Sequence, residues 1–269
     1  MMNSIITAEQ CLTTVFHRTI YSKFKKAVSD YRLIEKGDSI CICLSGGKDS
    51  ALLAMLMRHY ITYECDGVNL EFLMLDPGYS EKSLQHISHN GSLLDIPLKI
   101  RRINAFSALE RSEKNPCFVC ARMRRKYLYE YAGELRCNKI ALGHHFNDVT
   151  ETILMGMIYG GQMQTMLPKR KSDHYSGMEL IRPMYYIKES DIEKWAEYCG
   201  LNFEKCSCPA AAREGTASKR AEIKALIADL KAADPQIESN IFRSAENVDL
   251  KNLMSYKDSR GSHSFLDNY

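Results

Sequence analysis

Short apolar runs alternate along this chain with longer stretches whose apolar residues recur at helical spacing. The runs at residues 40–44, 70–75, 98–103 and 139–142 are short and partly β-branched. They lack strict polar alternation, the pattern of strands buried on both faces. Residues 51–60, 81–94 and 117–135 between them have helical patterning, and 51–57 is apolar almost all round, as a buried helix requires. A fifth strand is predicted at Glu179–Ile181, stopped by Pro183, and a helix over 189–199 carries the single Trp195. One N-terminal helix is predicted over 8–31, further helices over 219–231 and 237–247, and a loose end over 258–269.

Alternation of strands and helices predicts an α/β fold: a parallel twisted sheet with helices on both faces, plus helical N-terminal and C-terminal additions. The chain then divides into an N-terminal helical segment (1–36), a central domain (37–205) and a C-terminal part (206–269) holding a cysteine loop, helices and a tail. In such sheets ligands sit beyond the carboxyl ends of the strands. That rule gathers the loops after residues 44, 75, 103 and 142 into one cleft.

Composition narrows the class. With 269 residues, 45% hydrophobic and 26% charged, the chain buries a full core and is neither disordered nor membrane-spanning in pattern. Its N-terminus lacks the basic and apolar regions of a signal peptide, so a cytoplasmic location is expected. A net charge of +3 permits nucleic acid as a partner without requiring it. Ten cysteines are many for a cytoplasmic protein, where structural disulfides are rare, so some are expected to do chemistry or bind metal.

The chemistry starts at Ser45-Gly46-Gly47-Lys48-Asp49-Ser50, directly behind the first strand and ahead of the buried helix. Two glycines let backbone N–H groups approach phosphate oxygens, and the helix start adds unpaired donors and partial positive charge. Ser45 and Ser50 supply hydroxyls, Lys48 a point charge, and Asp49 a carboxylate suited to Mg²⁺. This is not the Walker A pattern, because Ile42 stands where that motif needs Gly and Asp49 follows the lysine. These residues resemble the pyrophosphate loop of the PP-loop ATP pyrophosphatases. The resemblance implies ATP as substrate, cleaved between the α- and β-phosphates.

Two further loops add candidates. Asp76 ends the second strand ahead of Pro77-Gly78, where it either meets nucleotide or Mg²⁺ or simply makes a turn. Gly143-His144-His145-Phe146-Asn147-Asp148 precedes a helix, with Asp148 as expected N-cap and Glu151 completing a capping box. The segment also resembles the Gly-His-x-x-Asp-Asp element of thiolating PP-loop enzymes, with Asn147 in place of the first Asp. That likeness implies nucleotide contacts for Gly143 and His144, and a catalytic role for Asp148 beside Lys48 and Asp49.

Cys117-Phe118-Val119-Cys120 opens a helix, a setting that favours thiolate, and Cys206-Ser207-Cys208 follows an extended segment downstream. Three readings stand open for these thiols: a redox dithiol, a closed Cys₄ zinc site, or a [4Fe–4S] cluster held by Cys117, Cys120 and one of Cys206 or Cys208. Together with the phosphate loop, the Gly-His loop and Ile181-Arg182-Pro183, the cysteines resemble the tRNA 2-thiocytidine synthetase family over about residues 31–247. The chain departs from it in its C-x-C late cysteines and a longer 210–218 segment.

The resemblance implies an iron–sulfur, ATP- and Mg²⁺-dependent enzyme that adenylates the C2 oxygen of a tRNA anticodon-loop cytidine and replaces it by sulfur. It further implies a sulfur donor, either a cysteine desulfurase or sulfide, and is compatible with a homodimer touching through the N-terminal helix. A lysidine-forming type of PP-loop ligase and a non-catalytic nucleotide- and metal-binding redox sensor are the alternatives. Arg101-Arg102, Arg122, Arg124-Arg125-Lys126 and Lys169-Arg170-Lys171 supply cations for an RNA backbone, or else a solvated surface. Tyr127 and Tyr131 share a helix face and read as core.

Overall fold

The computed structural model describes residues 7–103, 116–203 and 219–269. It divides into two compact units, residues 1–148 with 167–218, and residues 149–166 with 219–269.

The first unit holds a six-stranded sheet of β1 (Ser39–Leu44), β2 (Asn69–Asp76), β3 (Lys99–Arg102), β4 (Lys139–Ala141), β5 (Lys169–Lys171) and β6 (Glu179–Ile181). The spatial order is β3-β2-β1-β4-β6-β5. All pairings are parallel except β5 with β6. The chain builds outward from β1 through β2 to β3, then returns to the other side of β1 with β4. The strand order therefore reverses between β1 and β4, and their carboxyl ends open the crevice where α/β sheets bind ligands.

β1 shows why helices cover both faces. Ile40, Ile42 and Leu44 point into one core with the helix Lys48–Tyr63 and Trp195; Cys41 and Cys43 point into another with Tyr129, Ala132 and Ile140. The 51–57 stretch is buried throughout, as its all-round apolar sequence demands. Each fully buried leucine in it contributes about 2 kcal/mol.

Three expectations are corrected. The single N-terminal helix is broken into Gln10–Thr13, a wide π-type turn at His17–Tyr21, and Ser22–Asp30. The cause is local: the Thr13 and Thr14 hydroxyls both donate to Gln10 O (3.2 and 2.9 Å), competing with the helical ladder. Lys169–Lys171, read only as a basic run, is an antiparallel edge strand. The end of the chain is ordered: Ser255–Asp258 pairs with Gly261–Ser264 in a hairpin, and Phe265–Asn268 is a short 3₁₀ turn. Asp258 Oδ1 accepts from Arg260 N (2.7 Å), and Gly261 takes a φ of +139°. Polar strands gave no apolar alternation to read.

The second unit contains most of the helix Phe146–Gly160 with Lys219–Ala233, Ile237–Ser244 and the hairpin. Buried Glu151 accepts from Arg220 Nε (2.6 Å), buried Glu238 pairs with Lys231 (3.2 Å), and Tyr159 Oη donates to Glu222 (2.5 Å). Among the described residues no helix is long and apolar enough to cross a membrane.

Candidate active site

β1 ends at Leu44, and the turn behind it is tied internally. Ser45 N donates to Ser50 Oγ (3.1 Å), Ser50 Oγ donates to Gly47 O (3.0 Å), and the two serine hydroxyls lie 3.1 Å apart. Gly46 has a φ of +82°, and a Cβ there would stand 2.7 Å from Ile87 Cδ1. The positive φ favours glycine, and any side chain would also have to displace the end of Ile87. Gly47 is the N-cap of Lys48–Tyr63 and brings no side-chain cap, so the first N–H groups of that helix lack a protein side-chain acceptor. A helix of 16 residues with an uncapped start behind a glycine turn is built to receive an anion.

Lys48 Nζ lies 3.2 Å from Asp49 Oδ1 and 3.3 Å from Glu189 Oε1. Burial works against its charge, but Asp49 and Glu189 outweigh burial and raise its pKa. Asp49 Oδ1 is itself shielded from solvent and has no aligned hydrogen-bond donor. A shielded carboxylate oxygen with the Lys48 ammonium 3.2 Å away but out of hydrogen-bond alignment still has room for a hard cation. Among the described residues no three His, Cys, Asp or Glu side chains are placed to hold a metal ion alone. A cation at Asp49 would thus take further ligands from phosphate and water, the usual habit of Mg²⁺.

The second loop lies against the first. A Cβ on Gly143 would come within 3.1 Å of Asp49 C and O and of Ser50 N, so the post-β4 backbone packs directly on the helix start. The helix there begins at Phe146, not Val149, which corrects the capping assignment. Asp148 is the third helical residue, and its carboxylate accepts from His145 N (3.0 Å) and lies 3.5 Å from His145 Nε2. Glu151 is engaged with Arg220 and completes no capping box. His145 is buried, its Nε2 is 4.0 Å from Asp49 Oδ1, and its Nδ1 has no hydrogen-bond partner.

His144 Nδ1 accepts from Arg182 Nε (3.3 Å), and Arg182 also donates to Leu167 O. A ring nitrogen that accepts is unprotonated, so His144 is the neutral Nε2–H tautomer. Burial lowers the pKa of Arg182 to about 10. Asn147 Oδ1 accepts from Glu189 N (2.9 Å), capping the helix Glu189–Tyr198 and placing Glu189 beside Lys48.

Asp76 lies buried at the end of β2, where Oδ1 accepts from Gly78 N (2.8 Å) and Tyr79 N (2.7 Å). The turn it makes is the one expected of Asp-Pro-Gly. Cys120 is half-buried in the helix Pro116–Glu134. Cys117 lies in the first turn of that helix, its side chain outside the described residues; Cys206 and Cys208 lie outside them altogether.

Arg101, Arg102, Arg122, Arg125 and Lys126 are exposed, and Arg124 is partly so. Lys169 is engaged with Glu179 (3.1 Å), Arg170 with Asp173 (2.8 Å), and Lys126 stands 3.6 Å from Glu130. The Tyr127 and Tyr131 rings stack at 6.2 Å and pack on the second core, as expected. A cavity of about 610 Å³ lined by Tyr129, Arg136, His174 and Tyr175 lies ahead of β4 and β6, at the strand ends opposite the phosphate loop.

Glu189, Arg182, His145 and the Asn147 amide are the site residues that sequence reasoning did not assign. Ile-Arg-Pro marked position 182 without a role, and nothing local signals a contact from Glu189 across 141 residues.

The model of the PP-loop domain family matches residues 16–212. A curated tRNA-cytidine(32) 2-sulfurtransferase of Paraburkholderia phytofirmans is 39% identical over 240 residues, 86% of this chain and 69% of the relative. One from Burkholderia ambifaria is 37% identical over 246 residues, 88% of this chain and 69% of the relative. A solved U34-tRNA thiolase from Methanococcus maripaludis, with its [4Fe-4S] cluster, shares the fold at a TM-score of 0.68 and 24% identity, covering 86% of this chain and 79% of its own. The chain belongs to the PP-loop family and, within it, to the tRNA-cytidine(32) 2-sulfurtransferases.

Proposed function

We propose that this protein thiolates a tRNA cytidine at C2, at position 32 by the name of its relatives, in an ATP-dependent reaction. The observation that carries this reading is the uncapped, glycine-turned helix start beside the shielded Asp49 oxygen, in a chain of this family. ATP and RNA are the substrates. In the first step the C2 oxygen attacks the α-phosphorus, an O–P bond forms, and pyrophosphate leaves with the electrons of the broken P–O bond. In the second, sulfur bonds to C2 and the oxygen departs with AMP. Adenylation is needed because a ring carbonyl oxygen is a poor leaving group and AMP a good one.

The chain's own residues have separable tasks. The turn at 45–50 and the first N–H groups of its helix hold the phosphates. Lys48 neutralises the charge that grows on departing pyrophosphate, and Asp49 would hold Mg²⁺, which would supply further charge neutralisation there. His145 braces the carboxylate of Asp148, while Arg182 fixes the His144 ring with its Nε2–H as donor. Gly143 keeps the second loop close enough for these groups to act on the same nucleotide. The Asx-turn bonds of Asp76 leave its other oxygen as the candidate contact to nucleotide.

The thiol set Cys117, Cys120 and one of Cys206 or Cys208 suits iron, and is the proposed holder of a [4Fe–4S] cluster. Bound with three protein ligands, such a cluster supplies an iron position at which sulfur can be held. Exposed Arg122, Arg125 and Lys126 follow Cys120 on one helix and suit an RNA backbone. A cytoplasmic location, a cysteine desulfurase or sulfide as donor, and a homodimer complete the proposal. So does a PP-loop domain at 37–205, between the 1–36 segment and the 206–269 part.

Mass spectrometry of tRNA nucleosides from cells lacking the protein tests it. The expected result is loss of 2-thiocytidine, restored by the wild-type chain and not by Lys48→Ala. An unchanged nucleoside profile would overturn it.

A further inference from the structure

Cys11 and Cys199 are 188 residues apart in sequence, yet their sulfur atoms lie 3.5 Å from each other. Cys11 belongs to the short helix Gln10–Thr13 and is wholly buried. Cys199 caps the carboxyl end of the helix Glu189–Tyr198 and is half-buried, so solvent reaches one member of the pair. Trp195, one turn back on the same helix, is fully buried in the same apolar cluster as Cys11, against which Cys199 packs. None of this is needed for adenylation or sulfur transfer: Cys199 sits at the opposite end of its helix from Glu189, about 15 Å away at 1.5 Å per residue.

We propose that Cys11 and Cys199 are a modification site, forming a reversible disulfide in response to hydroperoxide. The division of labour follows from the contacts. The Cys11 thiol donates to Ala8 O (3.0 Å) or to the Cys199 sulfur. Their mutual hydrogen bond pushes the pKa of Cys11 up and that of Cys199 down. Cys199 is therefore the more readily ionised of the two thiols, and it is also the reachable one.

The Cys199 sulfur attacks a peroxide oxygen, an S–O bond forms as O–O breaks, and the released hydroxide takes a proton and leaves as water. The product is a sulfenic acid. Cys11 then attacks that sulfur, an S–S bond forms as S–O breaks, and hydroxide leaves with the Cys11 proton as a second water. Two thiols lose two electrons and one peroxide becomes two waters. Closing from 3.5 Å to a bond of ~2.05 Å needs a shift of about 1.5 Å. The interrupted helix at Thr13–Thr14 offers the N-terminal segment a place to absorb it.

The test uses the full-length protein, prepared anaerobically, treated with hydrogen peroxide, alkylated and digested with trypsin. The expected product joins the peptide ending at Arg18 to residues 195–205, and dithiothreitol separates it. Cys11→Ser should leave a sulfenic acid on Cys199 that dimedone traps; Cys199→Ser should leave no adduct on Cys11. Without reductant the oxidised protein should melt roughly 5–10 °C higher, because the bond closes a long loop. Full alkylation of both peptides after peroxide treatment, or a link from either cysteine to a different one, would overturn the proposal.

Discussion

Glu189 Oε1 lies 3.3 Å from Lys48 Nζ, and the Asn147 amide holds the start of the Glu189 helix in place for that contact. The lysine of the phosphate loop is therefore positioned from a segment that has no part in the loop itself. Lys48→Ala should lower kcat/KM for pyrophosphate release by about 100-fold or more, the scale of removing one preorganised charge. Glu189→Gln should cost about 10-fold, since Asp49 still holds the ammonium. Equal losses in the two variants would show that Glu189 does more than place Lys48.

Gly143→Ala forces a methyl group to within 3.1 Å of backbone atoms of Asp49 and Ser50, which cannot turn aside. The substitution should destabilise by about 1–3 kcal/mol and reduce ATP turnover more than it reduces folding. Gly46→Ala meets the end of the Ile87 side chain, which can move, but must hold a φ of +82°. It should cost about 1–2 kcal/mol through backbone strain. Calorimetry with pyrophosphate release separates the two effects.

At the other end of the sheet Asp38 and Lys139 form a buried pair at 2.6 Å, with Asn138 Nδ2 (2.8 Å) and Glu35 N (2.7 Å) also donating to Asp38. Burial opposes the Asp38 charge, but these donors outweigh it and hold the carboxyl below its usual range. A depressed carboxyl contributes stability that is fully present above the unfolded-state pKa and fades as pH falls through the folded-state one. Wild type should thus lose stability on acidification below about pH 4, and Asp38→Asn should lose less over that window. At neutral pH Asp38→Asn should cost about 3 kcal/mol, because buried Lys139 keeps only Leu33 O (3.2 Å) and the more distant Glu179 (3.9 Å) as partners. Urea melts across pH measure both.

Cys120→Ala separates the two halves of the reaction. It should abolish tRNA thiolation and the broad absorption near ~400 nm of a reconstituted cluster, while leaving ATP–pyrophosphate exchange within about twofold. A Cys117→Ala/Cys120→Ala protein that still modifies tRNA fully would point to amine addition of the lysidine type.

Much of this was legible because local signals and global fold agree. The glycine turn between a buried strand and an all-apolar helix reads the same at every level, and so do the strands at 40–44 and 179–181. What stayed hidden depends on three-dimensional neighbours. Nothing near Glu189 signals Lys48, and nothing near Arg182 signals His144. Asp148 read as an N-cap because its carboxylate does serve the helix start; it does so from inside the helix, reaching back to His145 N. The terminal hairpin was invisible because its strands, Ser-Tyr-Lys-Asp and Gly-Ser-His-Ser, carry turn chemistry but no apolar face.

Both borders of the central sheet are cationic: β3 is Lys-Ile-Arg-Arg and β5 is Lys-Arg-Lys. An edge strand invites another chain to add on; Lys99, Lys169 and Arg170 are engaged with Glu71, Glu179 and Asp173, while exposed Arg102 and Lys171 discourage such an intruder. Addition of another chain along either margin is thereby disfavoured.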